Sequence, residues 1–251
     1  MSGHNKWSTI KHRKGAQDAK RSKVFTKVIK EITVAARLGG EDIETNPRLR
    51  AAVASAKSAN MPADNVKRAI QKGVGGTKGD DYESIVYEGY GPHQVAVIIE
   101  CLTDNRNRTI SSIRTAFNKN NGSLGSSNSV MYAFDRVGLI EVAKEGIEED
   151  KMMEMALEAG AEDFDPESED HYEITTAQAD LHAVQTTLEG QGIAIQRSAL
   201  AYVPQNKQEI TDPAQASQVL RFLDVLEDDD DVQNVFSNLD LSDEAMAGLD
   251  E

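Results

Sequence analysis

Residues 138–203, GLIEVAKEGIEEDKMMEMALEAGAEDFDPESEDHYEITTAQADLHAVQTTLEGQGIAIQRSALAYV, set the architecture of the chain. A period of two marks a half-covered strand and a period of 3.6 an amphipathic helix. By that test Leu139–Val142 reads as a strand, Glu148–Ala159 as a helix with its core stripe at Met152, Met155, Ala156 and Ala159, and Ala161–Phe164 as a short strand. Tyr172–Thr175 is a further strand, Ala177–Leu188 a second helix and Ile193–Val203 the last strand. The order β-α-β-β-α-β is that of a ferredoxin-like unit.

The flanking sequence predicts most of a second such unit. Before it lie a strand around Ile85–Glu88, the turn Gly89-Tyr90-Gly91-Pro92 and a strand Val95–Leu102. Apolar residues on both faces of that last strand place it centrally in a sheet. Asp104 or Thr103 is then expected to cap a helix with the buried stripe Ile110, Ile113, Ala116 and Phe117. A Gly/Ser/Asn loop, Asn121–Ser129, leads into an expected strand Val130–Phe134. On the far side come a helix Pro213–Leu226 and a strand Val232–Phe236. One domain is thus expected inside another, the insert ending near Arg136 and Gln205.

The first part of the chain is helical by pattern. Residues 1–15 hold Lys6, Lys11, Arg13 and Lys14 with Trp7 and no acidic residue, and predict a mobile basic arm. A helix of about Ala16–Leu38 follows, with Val24, Phe25, Val28, Ile29, Ile32, Ala35 and Ala36 on one face. Lys20, Lys23, Lys27, Lys30 and Arg37 share another face. Gly39-Gly40 ends it. Asn46-Pro47 supplies an N-cap and a first-turn proline for a second helix burying Leu49, Ala52, Val53 and Ala56. Pro62 opens a third, with Val66, Ala69 and Ile70 inward. The fold class expected is α+β: a three-helix bundle followed by two ferredoxin-like α+β domains, one inserted in the other. The expected domains are 1–80, 81–135 plus 206–251, and 136–205.

Charge is divided unevenly. Residues 1–72 carry 16 Lys+Arg against 6 Asp+Glu, and the rest of the chain 11 against 36. Within a total of −15, the first part is +10 and the remainder −25. Such a division suits one part to a polyanion and makes the other repel it. Merely soluble helices mix charge signs for favourable i,i+4 pairs, whereas this one sets like charges at Lys23/Lys27. We therefore expect the arm and the lysine face to bind nucleic acid, with Trp7 either stacked on a base or tucked into the bundle.

A second anion contact is expected at Arg106 and Arg108. They open a helix, where the dipole disfavours cations unless a phosphate sits there too. The bland alternative is pairing with Glu88 or Glu100. The run Glu227–Asp231 reads as a solvated acidic boundary. GVGGTKGDD, residues 73–81, follows a helix and precedes a strand, the reverse of a phosphate loop, so it reads as a hinge.

Other chemistry finds little to work with. The one cysteine, Cys101, excludes an internal disulfide and a Cys-rich zinc site, and its strand position predicts a buried, inert thiol. His4, His12 and His93 lack ligand or acid neighbours in sequence. No membrane-length apolar run, secretory h-region, or hydrolase, kinase or zincin motif occurs. We expect no catalytic residues, no metal, no cofactor, no membrane and no small-molecule substrate.

Several long motifs, in order, resemble one family. They are GHNKWSTIKHRKGAQDAKR (3–21), NPRLRAAV (46–53), NMPADNVKRAIQKG (60–73), YEGYGP (87–92), ECLTDNRNRT (100–109) and NGSLGSSNSVMYAFDR (121–136). The chain resembles the YebC/PmpR family over essentially its whole length. That family includes a mitochondrial translational activator of cytochrome c oxidase. Departures are His93-Gln94, where the family usually has glycines, and the loop Asn121-Gly122-Ser123-Leu124-Gly125, which usually reads GGNLG. A tryptophan common just after that loop is absent. The resemblance implies a three-domain, non-enzymatic cytoplasmic protein, a DNA-binding transcriptional regulator. The alternative it carries is a translation factor that associates with the ribosome and ribosomal RNA and relieves stalling.

Overall fold

The computed structural model describes residues 17–75, 82–168 and 170–249, with residues 17–21 given by backbone alone. They form two compact units, one of residues up to 132 together with 208–249, the other of 133–207.

Three helices open the larger unit: α1 (Gln17–Gly39), α2 (Pro47–Ser58) and α3 (Ala63–Val74). Ile32, Ala35 and Ala36 of α1 pack on Leu49, Ala52, Val53 and Ala56 of α2 and on Ala69 of α3. Val24, expected inward, is exposed. Asn46 joins the first two helices. Its Oδ1 accepts from Leu49 N at 3.1 Å, capping α2, while its Nδ2 donates to Ala35 O and Gly40 O at 2.8 Å each. Both orphaned ends, the amides of α2 and the carbonyls of α1, are thereby satisfied by one side chain. α3 approaches α1 through Gly73, where a Cβ would collide with Thr33 O and lie 2.8 Å from Ala36 Cβ.

The same unit continues with β1 (Glu83–Tyr90), β2 (Ala96–Thr103), α4 (Arg106–Lys119) and β3 (Ser123–Leu124). After the chain returns from the other unit it adds β8 (Gln208–Ile210), α7 (Pro213–Glu227), β9 (Val232–Ser237), β10 (Leu239–Leu241) and α8 (Asp243–Ala247). The main sheet runs β3-β1-β2-β9, every neighbour antiparallel. Counted along the chain, its strands stand third, first, second and fourth, so the hairpin β1–β2 fills the two inner positions. β2 is central, as its two apolar faces predict. Phe117 of α4 meets Phe222 of α7 edge to face, ring centroids 5.0 Å apart.

Two local expectations in this unit fail for identifiable reasons. Asn105, not Thr103 or Asp104, caps α4: its Oδ1 accepts from Arg108 N at 3.1 Å. The stripe shifts accordingly, with Thr109 buried and Ile110 only half-buried. Residues Val130–Phe134 do not form a strand. Residues Met131–Ala133 make a 3₁₀ turn and the next strand begins at Phe134. The cause is Glu88, a buried carboxylate that accepts from the amides of Asn128 (2.8 Å), Val130 (3.1 Å) and Met131 (2.9 Å). Amides committed to a carboxylate cannot enter a ladder.

The smaller unit holds β4 (Phe134–Ala143), α5 (Glu149–Ala159), β5 (Asp163–Asp165), β6 (His171–Ala177), α6 (Leu181–Gly190) and β7 (Ile195–Pro204). Its sheet order, β5-β6-β4-β7, is antiparallel throughout and ferredoxin-like. Ile140, Ile174, Met152, Ala156, Val184 and Leu188 form its core. β6 runs on to Ala177 opposite Val137, so α6 starts later than the pattern suggests. Gln205 N donates to Ala133 O at 2.9 Å and closes the base of the unit.

Candidate nucleic-acid interface

Lys23, Lys27 and Lys30 stand at i, i+4 and i+7 on α1 and so share a face. That face meets the C-terminal end of α7 and the residues after it. Lys23 Nζ lies 2.7 Å from Asp228 Oδ1. Lys27 Nζ donates to Glu227 O at 2.7 Å. Lys30 Nζ donates to Asp230 O at 2.7 Å and to Asp231 Oδ1 at 3.0 Å.

The acidic run is therefore not a solvated boundary. A helix C-terminus leaves carbonyls unpaired and carries partial negative charge, so five acidic residues there are unfavourable alone. Three ammonium groups supply both the missing donors and the opposite charge. The remaining acid of the basic face, Glu31, is held by Arg48, Nε to Oε1 at 2.6 Å and Nη2 to Oε2 at 3.0 Å.

Asp231 is the deepest member of the cluster and is buried. Its carboxylate accepts from Arg108 Nη2 at 2.7 Å, Thr109 Oγ1 at 2.9 Å and Lys30. Burial alone would push this carboxyl up, but the hydrogen bonds from Arg108, Lys30 and Thr109 prevail and hold it below the usual carboxylate range. Arg108 also reaches Asp104 at 2.8 Å. Its partners are thus Asp231 and Asp104 rather than Glu88 or Glu100. Glu88 serves backbone amides, and Glu100 accepts from Asn234 Nδ2 at 2.9 Å.

Arg106, two residues away, is exposed and makes no hydrogen bond or ion pair among the described residues. The structure separates the two arginines that the sequence grouped together. Lys6, Trp7, Lys11, Arg13 and Lys14 lie outside the described residues, as do the side chain of Lys20 and residues 76–81 of the expected hinge.

Cys101 is buried on β2, and desolvation, followed by the charges of Asp229 and Asp231, pushes its thiol up to about 12. His93 and Gln94 both adopt left-handed backbone conformations, φ 57° and 62°, where the family glycines would be at ease. His93 Nε2 pairs with Gln218 Oε1 of α7 at 2.9 Å. Among the described residues no cluster of His, Cys, Asp and Glu has metal-binding geometry, and no helix is long and apolar enough to cross a membrane.

Sequence reasoning missed Asp231 as a hub, although a signal for it existed. A single-signed lysine face and an acidic helix end in one chain are complementary, and the acidic end needs donors. Their separation of about two hundred positions hid the pairing.

Comparison with known proteins gives the family. Residues 5–76 match the TACO1/YebC protein N-terminal domain, and residues 82–239 the TACO1/YebC second and third domain. A "probable transcriptional regulatory protein" of Desulforapulum autotrophicum is 54% identical over 249 residues, covering 99% of this chain and 100% of the relative. One of the same description from Desulfotalea psychrophila is 54% identical over 251 residues, all of both chains. The crystal structure of a conserved hypothetical protein from Aquifex aeolicus superposes with a TM-score of 0.85 at 44% identity, covering 90% of this chain and 93% of that one. With matches running through both the helical and the α+β parts, the chain belongs to the TACO1/YebC family.

Proposed function

We propose that this protein is a non-enzymatic, cytoplasmic, DNA-binding regulator of transcription. The observation that carries the reading is the charge division, +10 over residues 1–72 against −25 over the rest. The names of the relatives agree with it at the level of transcriptional regulation. The primary contact is the acid-free stretch with Lys6, Lys11, Arg13 and Lys14, continued by Lys20 and the lysine face of α1. Trp7 sits within it, and Arg106 adds an exposed cation. A division into parts 1–80, 81–135 with 206–251, and 136–205 suits this role, since it segregates the cationic part from the acidic ones.

Phosphate contacts supply affinity without requiring base readout. The bound DNA is therefore expected to be distinguished more by location and shape than by a sharp sequence motif. Formaldehyde crosslinking in cells, followed by recovery and sequencing of bound DNA, tests the reading. Reproducible enrichment of promoter fragments is expected. Cosedimentation with ribosomes that is lost on ribonuclease treatment, with no DNA recovered, would overturn it.

A further inference from the structure

The geometry points to segment Glu227–Asp231 as an internal stand-in for the polyanion, occupying the lysine face of α1 until nucleic acid displaces it. This rests on the reading that the basic part of the chain binds DNA.

The segment offers what a phosphate backbone offers. Along Lys23, Lys27 and Lys30 it presents two carboxylates, of Asp228 and Asp231, and three carbonyl oxygens, of Glu227, Asp228 and Asp230, at 2.7 Å for the nearest contact of each lysine. All three ammonium groups are engaged in the free protein. A DNA strand approaching this face meets lysines whose charge is already countered.

The contact is graded from outside to inside, so it can open without unfolding the unit. At the outer end Lys23 and Asp228 have side chains 40% and 70% exposed. At the inner end Lys30 and Asp231 are 15% and 5% exposed. Exposed pairs are weak and screened by salt, whereas shielded ones persist. Asp231 also serves Arg108 and Thr109, and Leu102 N donates to its carbonyl at 2.8 Å, so it stays in place as a pivot. Asp228 is tied to α7 by its amide, which donates to Asp224 O at 2.9 Å, but its carboxylate faces only Lys23 and solvent. Lys23 and Lys27 are therefore the lysines released to DNA, and Lys30 remains with Asp231.

Two consequences separate a competing segment from a purely structural clasp. Neutralising Asp228 and Asp230 together should raise affinity for a 30-base-pair DNA duplex about three- to tenfold at low salt. Glu209→Gln, which removes an exposed charge elsewhere in the same unit, should change it less than twofold. The second consequence is direct. A water-soluble carbodiimide joins an amine and a carboxylate already in contact, so the free protein should yield a Lys23–Asp228 crosslinked peptide.

The closing experiment measures that crosslink in the full-length protein by mass spectrometry, with and without saturating duplex, while fluorescence anisotropy reports binding. A fall of at least fivefold in crosslink yield on binding is expected. Duplex binding with crosslink yield unchanged would overturn the displacement and leave the DNA reading standing. Absence of the crosslink in the free protein would overturn the displacement as well. Failure to bind the duplex at any salt concentration would overturn both.

Discussion

Lys30 and Asp231, 201 positions apart in sequence, lie 3.0 Å apart from Nζ to Oδ1, with the aspartate side chain only 5% exposed. The pair ties the first long helix to the residue that leads into β9, the last strand of the main sheet. The same carboxylate also takes the side chains of Arg108 and Thr109, and so holds the first turn of α4.

Removing that carboxylate should be costly and pH-dependent. Asp231→Ala leaves the shielded Lys30 without its partner and is expected to cost about 2–3 kcal/mol, discounted from the deeply buried case because Arg108 is half exposed. Urea denaturation measures it. The carboxyl is held below its unfolded value of about 3.9, so its contribution is present above that pH and is lost as pH falls through the lowered folded value. Wild-type stability should therefore drop below about pH 4, and Asp231→Asn should show a shallower drop over that range.

Glu88 is the corresponding test in the glycine-rich loop. Glu88→Gln substitutes a weaker, neutral acceptor and places an amide donor among three backbone donors. A loss of about 1–3 kcal/mol is expected. Hydrogen exchange should accelerate at the amides of Asn128, Val130 and Met131 while the β1–β2 ladder stays protected. Equal acceleration in both places would mean that Glu88 supports the sheet rather than the loop.

Cys101 should behave as a small apolar residue. With the thiol pushed up to about 12, iodoacetamide should leave the native protein unmodified at pH 7.4 and label it only after unfolding. Cys101→Ala should cost about 1 kcal/mol or somewhat more and leave DNA binding unchanged. Rapid native-state labelling would contradict the buried assignment.

What could be read before the structure, and what could not, follows from the range of the interactions involved. The apolar run on both faces of Val95–Leu102, the Asn46-Pro47 start and the order of elements within 138–203 are local patterns, and each reappears in place. The strand expected at Val130–Phe134 failed because its amides are captured by Glu88, some forty positions earlier. The cap of α4 moved by one residue to Asn105, whose side chain reaches Arg108 N as the alternatives do not. The lysine face was identified as a face, but its intramolecular partner, on the far side of the inserted unit, leaves no periodic trace near either end. Charge complementarity was the available clue, and it indicates pairing without indicating register.

The salt dependence of duplex binding tests the central claim, that the cationic first part of the chain carries the contact with DNA. For the full-length protein the plot of log affinity against log salt should have a slope near −3 to −6, corresponding to about 4–6 phosphate contacts. Replacing Lys6, Lys11, Arg13 and Lys14 together with glutamine should bring the slope most of the way to zero. A slope near zero for the wild-type protein, or one unchanged by the four replacements, would contradict the account.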